Sequence, residues 1–332
     1  MRVLVTGGAG YIGVLTVEEL LLKGYKPVVF DSFYWGKEAL QPYLDKIEII
    51  EGDCRNSKDI IYALEGISAV IHLAGIVGEF ACASNQKAHH TINVESTRTL
   101  VNCCTDPEFE LVRDFIFASS CSVYGNVKGL YDEVTEETPT APLSAYAYAK
   151  LKSEEIMFKR AEEIPHFHPT SLRLTTVFGW APRPRLDLVT NLFAYNAWKN
   201  KKITIYGDGE QYRSLIHVRD IARALVETLA TPRFIRSGKI FHLGEESNNK
   251  TVKEIAELVQ LFLPDTEIEY IKDKPTDRRD YKINCYKLKN IVGWNAEYSV
   301  EDGIEELITK FENMGDIDWD SPNYRNSSFK YI

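Results

Sequence analysis

The chain has 332 residues, of which 39 are lysine or arginine and 48 are aspartate or glutamate, so its formal net charge at pH 7 is −9. Proteins that bind nucleic acid or anionic membranes usually carry a basic surface, so this acidic balance argues against both kinds of partner. The hydrophobic share of 44% and the charged share of 26% are typical of a globular protein and exclude a disordered or fibrous chain.

The cysteines and the N-terminus indicate the compartment. None of the six cysteines forms a C-x-x-C pair, and the seven histidines are scattered, so we predict no metal site. We interpret the cysteines as small buried side chains in a reducing compartment. The apolar run after Met1 and Arg2 is short and broken by glycines, unlike a signal peptide, and no run approaches the ~20 residues that span a bilayer. We therefore expect a soluble, cytoplasmic protein.

Short apolar runs alternate with helical patterns through the first half of the chain. The runs are rich in β-branched and aromatic residues, as buried strands are. They cover residues 2–6, 27–31, 47–51, 69–73, 114–119 and 170–175. Helical spacing is found at residues 12–23, 59–64, 94–104 and 145–163. This alternation predicts an α/β fold with a doubly wound parallel sheet covered by helices on both faces.

The second half is less regular, and it contains neither a repeat nor a low-complexity linker. We predict strands at residues 203–206 and 240–243, and helices at residues 188–199, 218–229, 252–261 and 300–311. Because no linker separates the two halves, we expect two interleaved lobes. The tail, residues 316–332, is polar with dispersed aromatic side chains. We interpret it as a strap across the surface, with a partner-binding arm as the alternative.

A glycine-rich turn, GGAGYIG at residues 7–13, follows the first predicted strand and opens the first predicted helix. A strand, a tight glycine turn and a helix in this order are the context that the G-x-G-x-x-G motif requires. The missing Cβ atoms let the backbone approach a pyrophosphate, and the helix N-terminus supplies partial positive charge. The turn therefore predicts a dinucleotide site.

Two acidic residues refine that prediction. Asp31 ends the second predicted strand, where a carboxylate can accept both ribose hydroxyls of NAD and repel the 2′-phosphate of NADP. No arginine follows it directly, so we predict NAD as the cofactor. Asp53 follows the third strand and is a candidate acceptor for the adenine amino group. Its alternative role is a turn or helix cap before Ser57.

Tyr146 and Lys150 are four residues apart in a predicted helix and therefore share one face. A phenol with a pKa near ~10 becomes a useful base at neutral pH only when nearby positive charge favours the phenolate. Lys150 and a nicotinamide ring together would supply that charge. Tyr148 and Lys152 form a second pair with the same spacing.

The fifth predicted strand ends in the segment ASSCSVYG, residues 118–125. Ligand-contacting residues of a doubly wound sheet lie at the carboxyl ends of the strands, so Ser120 is placed to hydrogen-bond a reacting oxygen. Cys121 stands beside it, but no histidine or other base is adjacent in sequence, which argues against a nucleophilic thiol.

With these motifs in place, residues 1–312 resemble the extended short-chain dehydrogenase/reductases, specifically the nucleotide-sugar epimerases and dehydratases. The resemblance rests on ten features spread along the chain. They are TGGAGYIG at residues 6–13, Asp31, GDC at 52–54, HLAG at 72–75, Asn93, SSCSVYG at 119–125, Tyr146 with Lys150, LRLTTVFG at 172–179, YGDGEQYRSLIHVRD at 206–220 and RRDY at 278–281.

The resemblance implies a Rossmann sheet of seven strands with a smaller α/β substrate lobe. It places the NAD-binding domain at residues 1–175, with returning segments from about 207–245, and a mainly nucleotide-sugar-binding lobe at 176–332. It also implies a homodimer through a four-helix bundle formed by residues 93–104 and 146–163.

The resemblance assigns roles residue by residue. Ser120, Tyr146 and Lys150 match the catalytic set, with Tyr146 as the base and Lys150 holding the nicotinamide ribose. The expected NAD-binding residues are Gly7, Gly10, Tyr11, Ile12, Gly13, Asp31, Asp53, Cys54, Leu73, Ala74, Gly75, Asn93, Tyr146 and Lys150. The expected substrate-binding residues are Ser120, Ser122, Thr176, Arg185, Asn191, Tyr206, Arg213 and Arg279.

The arginines of the second half support an anionic ligand independently. Arginine forks suit the oxygens of a diphosphate, although each could instead form a surface salt bridge. They stand out in an acidic chain at Arg183, Arg185, Arg213, Arg278 and Arg279.

Two departures from the family pattern limit the functional prediction. Thr176 stands where many relatives carry asparagine, which weakens an assignment of uridine. Cys121 and Ser122 stand where 4,6-dehydratases carry acids, so simple dehydration is disfavoured. The stretch 183–191, RPRLDLVTN, with residues 279–281, resembles a subgroup of 4-epimerase-like proteins and heptose-nucleotide 4-dehydrogenases.

The first hypothesis is an NAD-dependent 4-epimerase of a nucleoside-diphosphate sugar that works through a transient 4-keto sugar. The alternative is a 4-dehydrogenase, or a 3,5-type epimerase, that releases a keto sugar. A non-catalytic regulator that holds NAD is the third reading, and the complete Ser120, Tyr146 and Lys150 set argues against it.

Overall fold

The protein is described by a computed structural model covering residues 1–109, 112–127, 129–131, 133–272, 280–314 and 317–330. The strands are β1 Arg2–Thr6, β2 Lys26–Asp31, β3 Glu48–Glu51, β4 Ala69–His72, β5 Asp114–Ser120, β6 His168–Leu174, β7 Thr176–Phe178, β8 Lys202–Tyr206, β9 Tyr212–His217, β10 Ile240–Leu243, β11 Glu245–Thr251 and β12 Glu267–Ile271. The α-helices are α1 Tyr11–Leu22, α2 Ser57–Ala63, α3 Glu79–Ser84, α4 Gln86–His90, α5 Ser96–Cys104, α6 Ala145–Glu163, α7 Val189–Asn200, α8 Val218–Ala230, α9 Arg233–Arg236, α10 Val252–Phe262, α11 Tyr286–Val292 and α12 Val300–Asn313.

A parallel sheet of seven strands forms the centre of the described structure, in the order β10-β6-β5-β4-β1-β2-β3. Successive side chains of its inner strands enter cores on opposite faces. Val3 and Val5 pack in one core, whereas Leu4 packs in the other with Phe30 and Phe115. A strand buried on both faces needs a continuous apolar sequence, which RVLVT provides. The predicted α/β Rossmann fold is therefore confirmed.

The smaller lobe contains two further sheets, β11-β9-β7 and β12-β8. Its core lies between these strands and helices α7, α10 and α12 and includes Phe178, Phe193 and Ile304. Strands β9 and β11 were not predicted because their sequences, YRSLIH and EESNNKT, lack a continuous apolar run. In β9 the buried polar side chains have partners, as Ser214 accepts from the backbone N–H of Ile283 at 2.9 Å, whereas most side chains of β11 are half-buried or exposed.

After β9 the chain returns to the large sheet. Helix α8 packs along α1, and β10 pairs with β6 at the edge of the sheet. The buried carboxylate of Asp114 on β5 accepts hydrogen bonds from Arg233 and Arg236, at 2.7 and 2.6 Å. This ion pair fixes the segment between α8 and β10 against the central sheet.

The tail runs from the core of the smaller lobe to the loop after β2. Trp319 is buried against Trp180 and Phe311. Farther along, Phe329 packs against Tyr34, whose hydroxyl oxygen accepts a hydrogen bond from the backbone N–H of Lys330. Residues 317–330 therefore form a strap that joins the two lobes.

The six cysteines are free, and five of them are buried, with Cys54 half-buried. Within the described ranges, no helix combines the length and apolar character that crossing a bilayer requires.

A buried network connects α6 to the turn that follows β5. The carboxylate of Glu154 accepts hydrogen bonds from both Nε and Nη2 of Arg173, at 3.1 and 2.7 Å. Arg173 also donates to the hydroxyl oxygen of Tyr124, at 2.6 Å. The Tyr124 hydroxyl donates in turn to Nε2 of His242, whose Nδ1–H donates to the carbonyl of Asn284. One charge pair thus positions α6, β6, β10 and the turn.

We predict that Glu154→Gln destabilises the protein by about 3–5 kcal/mol, because it leaves the buried Arg173 guanidinium without its counter-charge. Denaturant titration would measure the change. Glu155→Gln is the matched control, since Glu155 is exposed and pairs only with the exposed Lys152; it should leave the transition in place. Equal midpoints for the two variants would contradict the structural role of the pair.

Candidate functional site

The carboxyl ends of the central strands open into a cavity of about 390 Å³. Most of the residues predicted from the sequence to bind ligand line this one cavity, although they come from widely separated positions in the chain. They are Gly7, Gly10, Tyr11, Ile12, Gly13, Asp31, Asp53, Cys54, Leu73, Ala74, Gly75, Ser120, Tyr146, Lys150 and Arg185.

The turn between β1 and α1 forms a cradle that only glycine permits. Gly7 has φ +72°, and a Cβ there would lie 2.8 Å from the backbone nitrogen of Ala74. A Cβ on Gly13 would clash with the carbonyl oxygen of Gly7. The backbone around the N-terminus of α1 is therefore open to close approach by a ligand. This position, with the partial positive charge of a helix start, suits a pyrophosphate.

Asp31 lies beside the cradle at the end of β2. Its carboxylate accepts hydrogen bonds from the backbone N–H groups of Ala9 and Phe33, at 3.0 and 2.9 Å. Burial raises the pKa of this carboxyl, and the two N–H groups oppose that rise. The turn and the carboxylate are thus held together, and they fit the diphosphate and ribose of a dinucleotide.

Asp53 lines the cavity next to Asp31, and its carboxylate already accepts hydrogen bonds from Arg55, one of them from Nε at 2.8 Å. Burial opposes ionisation, but the contacts with Arg55 lower the pKa of Asp53 overall. Of its alternative roles, the helix cap is taken by Asn56, whose side chain caps α2. The turn is present, because the Asp53 carboxylate accepts a hydrogen bond from the backbone N–H of Arg55 at 2.8 Å. The contact between Asp53 and adenine stays a prediction.

Lys150 brings α6 against the end of β5. Its buried ammonium donates a hydrogen bond to the carbonyl of Ala118 at 2.7 Å, and among the described residues no carboxylate lies within ion-pair distance of it. Burial lowers the pKa of Lys150 to about 8. The ammonium lies 5.9 Å from the centre of the Tyr146 ring. Tyr148, the competing tyrosine, is 58% exposed and does not line the cavity.

Ser120 ends β5 on the same side of the cavity. Its Oγ accepts hydrogen bonds from the backbone N–H and the hydroxyl of Ser122, at 3.2 and 2.9 Å. The hydroxyl hydrogen of Ser120 is therefore free to be donated to an oxygen in the cavity. Cys121 is buried, its thiol donates to the Arg173 carbonyl at 3.2 Å, and burial raises its pKa. A reactive thiolate at Cys121 is thus disfavoured.

Three of the predicted contact residues are buried beside the cavity and hydrogen-bonded within the protein. Asn93 is buried and uses its amide on the backbone of Ile76, accepting from N–H and donating to C=O, both at 2.7 Å. Ser122 is buried and its hydroxyl donates to Oγ of Ser120. Both residues support lining residues, and their contact with cofactor or substrate stays a prediction.

Asn191 is the third of these residues. It is fully buried on α7. Its oxygen accepts from the Gly179 N–H at 3.0 Å, and its amide nitrogen donates to the carbonyls of Gly179 and Arg185 and to the Tyr11 hydroxyl. Both ends of the amide thus join the two lobes. The contact between Asn191 and substrate stays a prediction.

Three other predicted substrate residues lie outside the lining of the cavity. Thr176 is half-buried on β7, Tyr206 is exposed at the end of β8, and Arg213 on β9 donates to the carbonyl of Tyr212 at 2.8 Å. Arg279 lies outside the described residues. Substrate contact by these residues stays a prediction.

Sequence reasoning missed the lining side chains that come from the loop after β2 and from the tail, and it did not place Arg183, which it had noted, at the cavity. Side-chain identity alone gives little signal for them, because they reach the cavity only through the path of the strap and loop. They are Tyr34, Trp35, Arg183, Asn326 and Phe329.

The chain is similar to NAD dependent epimerases and dehydratases over most of its length. A model of the NAD dependent epimerase/dehydratase family matches residues 3–244. A UDP-glucose 4-epimerase from Yersinia pestis is 27% identical over 325 residues, which cover 91% of this chain and 95% of that protein.

Solved structures agree with this match. A UDP-glucose 4-epimerase from Thermotoga maritima, crystallised with UDP-glucose, superposes with a TM-score of 0.84 at 25% identity, covering 95% of this chain and 99% of the other. A dTDP-glucose 4,6-dehydratase from Bacillus anthracis, in complex with NAD, gives 0.81 at 27% identity, covering 94% and 97%. The cradle, the Asp31 carboxylate and the family match lead to one conclusion: the chain belongs to the NAD dependent epimerase/dehydratase family and is an enzyme that uses NAD.

Proposed function

We propose that this enzyme is a 4-epimerase of a nucleoside-diphosphate sugar that works through a transient 4-keto sugar. The observation that supports this most directly is the meeting of Ser120, Tyr146 and Lys150 at the cavity that contains the glycine cradle. These residues provide a hydroxyl donor, a phenol and a buried cation on one side of the predicted cofactor site.

Tyr146 is the proposed general base. The Lys150 ammonium favours its phenolate, and the scarcity of water around this buried cation strengthens their interaction. The phenolate takes the proton of the sugar 4-hydroxyl and returns it when the hydroxyl is restored. The glycine cradle and Asp31 would hold NAD, which would supply the reversible hydride chemistry at C4 of the sugar. Ser120 donates its hydroxyl hydrogen to the same sugar oxygen and holds it next to Tyr146.

The surroundings of Ser120 favour epimerisation over dehydration. Elimination of water needs an acid and a base beside the sugar, but Ser120 is followed by the buried Cys121 and by Ser122. Among the described lining residues, the carboxylates are Asp31 and Asp53, and both lie at the opposite, ribose-binding end of the predicted site. The described part of the site therefore offers no carboxylate for the elimination.

The rest of the substrate site is proposed from the smaller lobe. Arg185 lines the cavity and pairs with Asp187 at 3.0 Å. We propose that Thr176, Tyr206, Arg213 and Arg279 also contact the substrate, as the sequence resemblance implies. We also propose a homodimer through α5 and α6, which pack side by side.

We predict that Tyr146→Phe lowers turnover at least ~100-fold, because it removes the general base and leaves the ring in place. Turnover with candidate nucleotide sugars, measured on NAD-loaded enzyme, provides the test. Tyr148→Phe is the control, because Tyr148 points to solvent two residues away. Near-normal turnover of the Tyr146 variant would overturn the mechanism.

The product distinguishes the proposal from a 4-dehydrogenase. Incubation with a panel of nucleotide sugars should give interconversion of two 4-epimers, detected by chromatography, with no NADH accumulating at 340 nm. The reason is that each hydride removed from C4 is returned within the same cycle. NADH rising in proportion to a released keto sugar would contradict the epimerase and support the dehydrogenase.

A further inference from the structure

Arg183 is a buried cation without a matching anion. It lies between β7 and α7, is 7% exposed and lines the cavity. Its Nη2 donates to the backbone carbonyl of Asn323 at 3.0 Å, and its buried Nε has no hydrogen-bond partner in the described part of the chain. No described carboxylate lies within ion-pair distance. Burial and the nearby Arg185 lower the pKa of Arg183 to about 10, although the negative charges of Asp187 and Asp31, which lie beyond ion-pair distance, oppose this shift.

The other buried arginines of the described structure do not share this situation. Arg173 is paired with Glu154 and Arg236 with Asp114, at 2.7 and 2.6 Å. An isolated buried charge is costly and is normally paired. Since Arg183 faces a cavity, the missing partner is an anionic ligand that enters it.

The neighbours of Arg183 indicate which part of the cavity that ligand occupies. The guanidinium lies over the ring of Trp35, 4.3 Å from its centre. Trp35 belongs to the loop that leaves β2 at Asp31, and Asp31 is hydrogen-bonded to Ala9 in the glycine turn. Arg183 is therefore close to the cradle at the start of α1. Arg185, by contrast, is already paired with Asp187.

We propose that Arg183 binds the diphosphate of NAD from the side opposite the glycine cradle. A diphosphate ester carries the negative charge that would neutralise the guanidinium, and its oxygens can accept hydrogen bonds from the unused N–H groups of Arg183. Because Arg183 belongs to the smaller lobe and is held by the tail at Asn323, bound NAD connects the Rossmann sheet, the smaller lobe and the strap. This arrangement favours retention of NAD between turnovers. The proposal rests on the use of NAD and not on the epimerase reaction.

The test is the dissociation constant of NAD for Arg183→Met, measured by calorimetry on protein stripped of nucleotide. Methionine can still cover Trp35 but carries no charge. We expect NAD to bind about 10- to 100-fold more weakly, the range for losing charge-assisted hydrogen bonds. Arg183→Lys should recover part of the affinity. Lys37→Met is the control, because it removes an exposed positive charge from the loop after β2, the loop that carries Trp35. This variant should leave the affinity for NAD within about threefold.

Two further measurements identify the anion and exclude a structural explanation. ADP-ribose, which keeps the diphosphate, should lose as much affinity as NAD, whereas UDP should lose none. The melting temperature without nucleotide should not fall, because the variant removes an unpaired buried charge. Unchanged NAD affinity, a loss confined to UDP, or a lower melting temperature with equal losses for all nucleotides would each overturn the proposal. Binding is measured without turnover, so failure of the epimerase proposal would leave this result interpretable.

Discussion

The hydrogen bond from the Lys150 ammonium to the Ala118 carbonyl is the contact on which the geometry of the site depends. It fixes helix α6 against the end of strand β5. Tyr146 lies one helical turn before Lys150, and Ser120 lies two residues after Ala118, on the same side of the strand. One contact between a helix and a strand therefore brings the phenol and the cation of α6 together with a hydroxyl that lies 26 or more residues earlier in the chain.

The distribution of buried charge separates structural from ligand-binding residues. The pairs Glu154–Arg173 and Asp114–Arg236 are satisfied within the protein and lie between elements of the fold. Lys150 and Arg183 are buried at the cavity without a carboxylate partner in the described structure. An uncompensated buried charge destabilises the folded protein, so these two residues are not explained by stability alone. Their position therefore marks where the chemistry and the ligand of this enzyme supply the missing interactions.

The sequence predicts those features of the protein that are encoded locally. The glycine turn has steric requirements that only glycine meets, and the central strands need apolar residues on both faces. Both features can therefore be predicted from the amino-acid sequence. Strands β9 and β11 cannot, because their polar side chains depend on the hydrogen-bond partners and the partial exposure that the smaller lobe provides. Asn93 and Asn191 were assigned to ligands because an amide serves a ligand and a buried backbone equally well. Only the fold shows which partners each amide has.

Hydrogen bonds at the start of helix α1 join the two lobes. The Tyr11 hydroxyl, on the first residue of α1, donates to the carbonyl of Gly179 at 2.6 Å, and Asn191 bonds to both. The helix that forms the diphosphate cradle is thus joined directly to the start of the smaller lobe. Arg183 extends from that same segment into the cavity. Any shift of the smaller lobe on binding sugar would therefore move Arg183 relative to the proposed site of the cofactor diphosphate. Only three residues separate Gly179 from Arg183, so the segment between them has little freedom to absorb the shift.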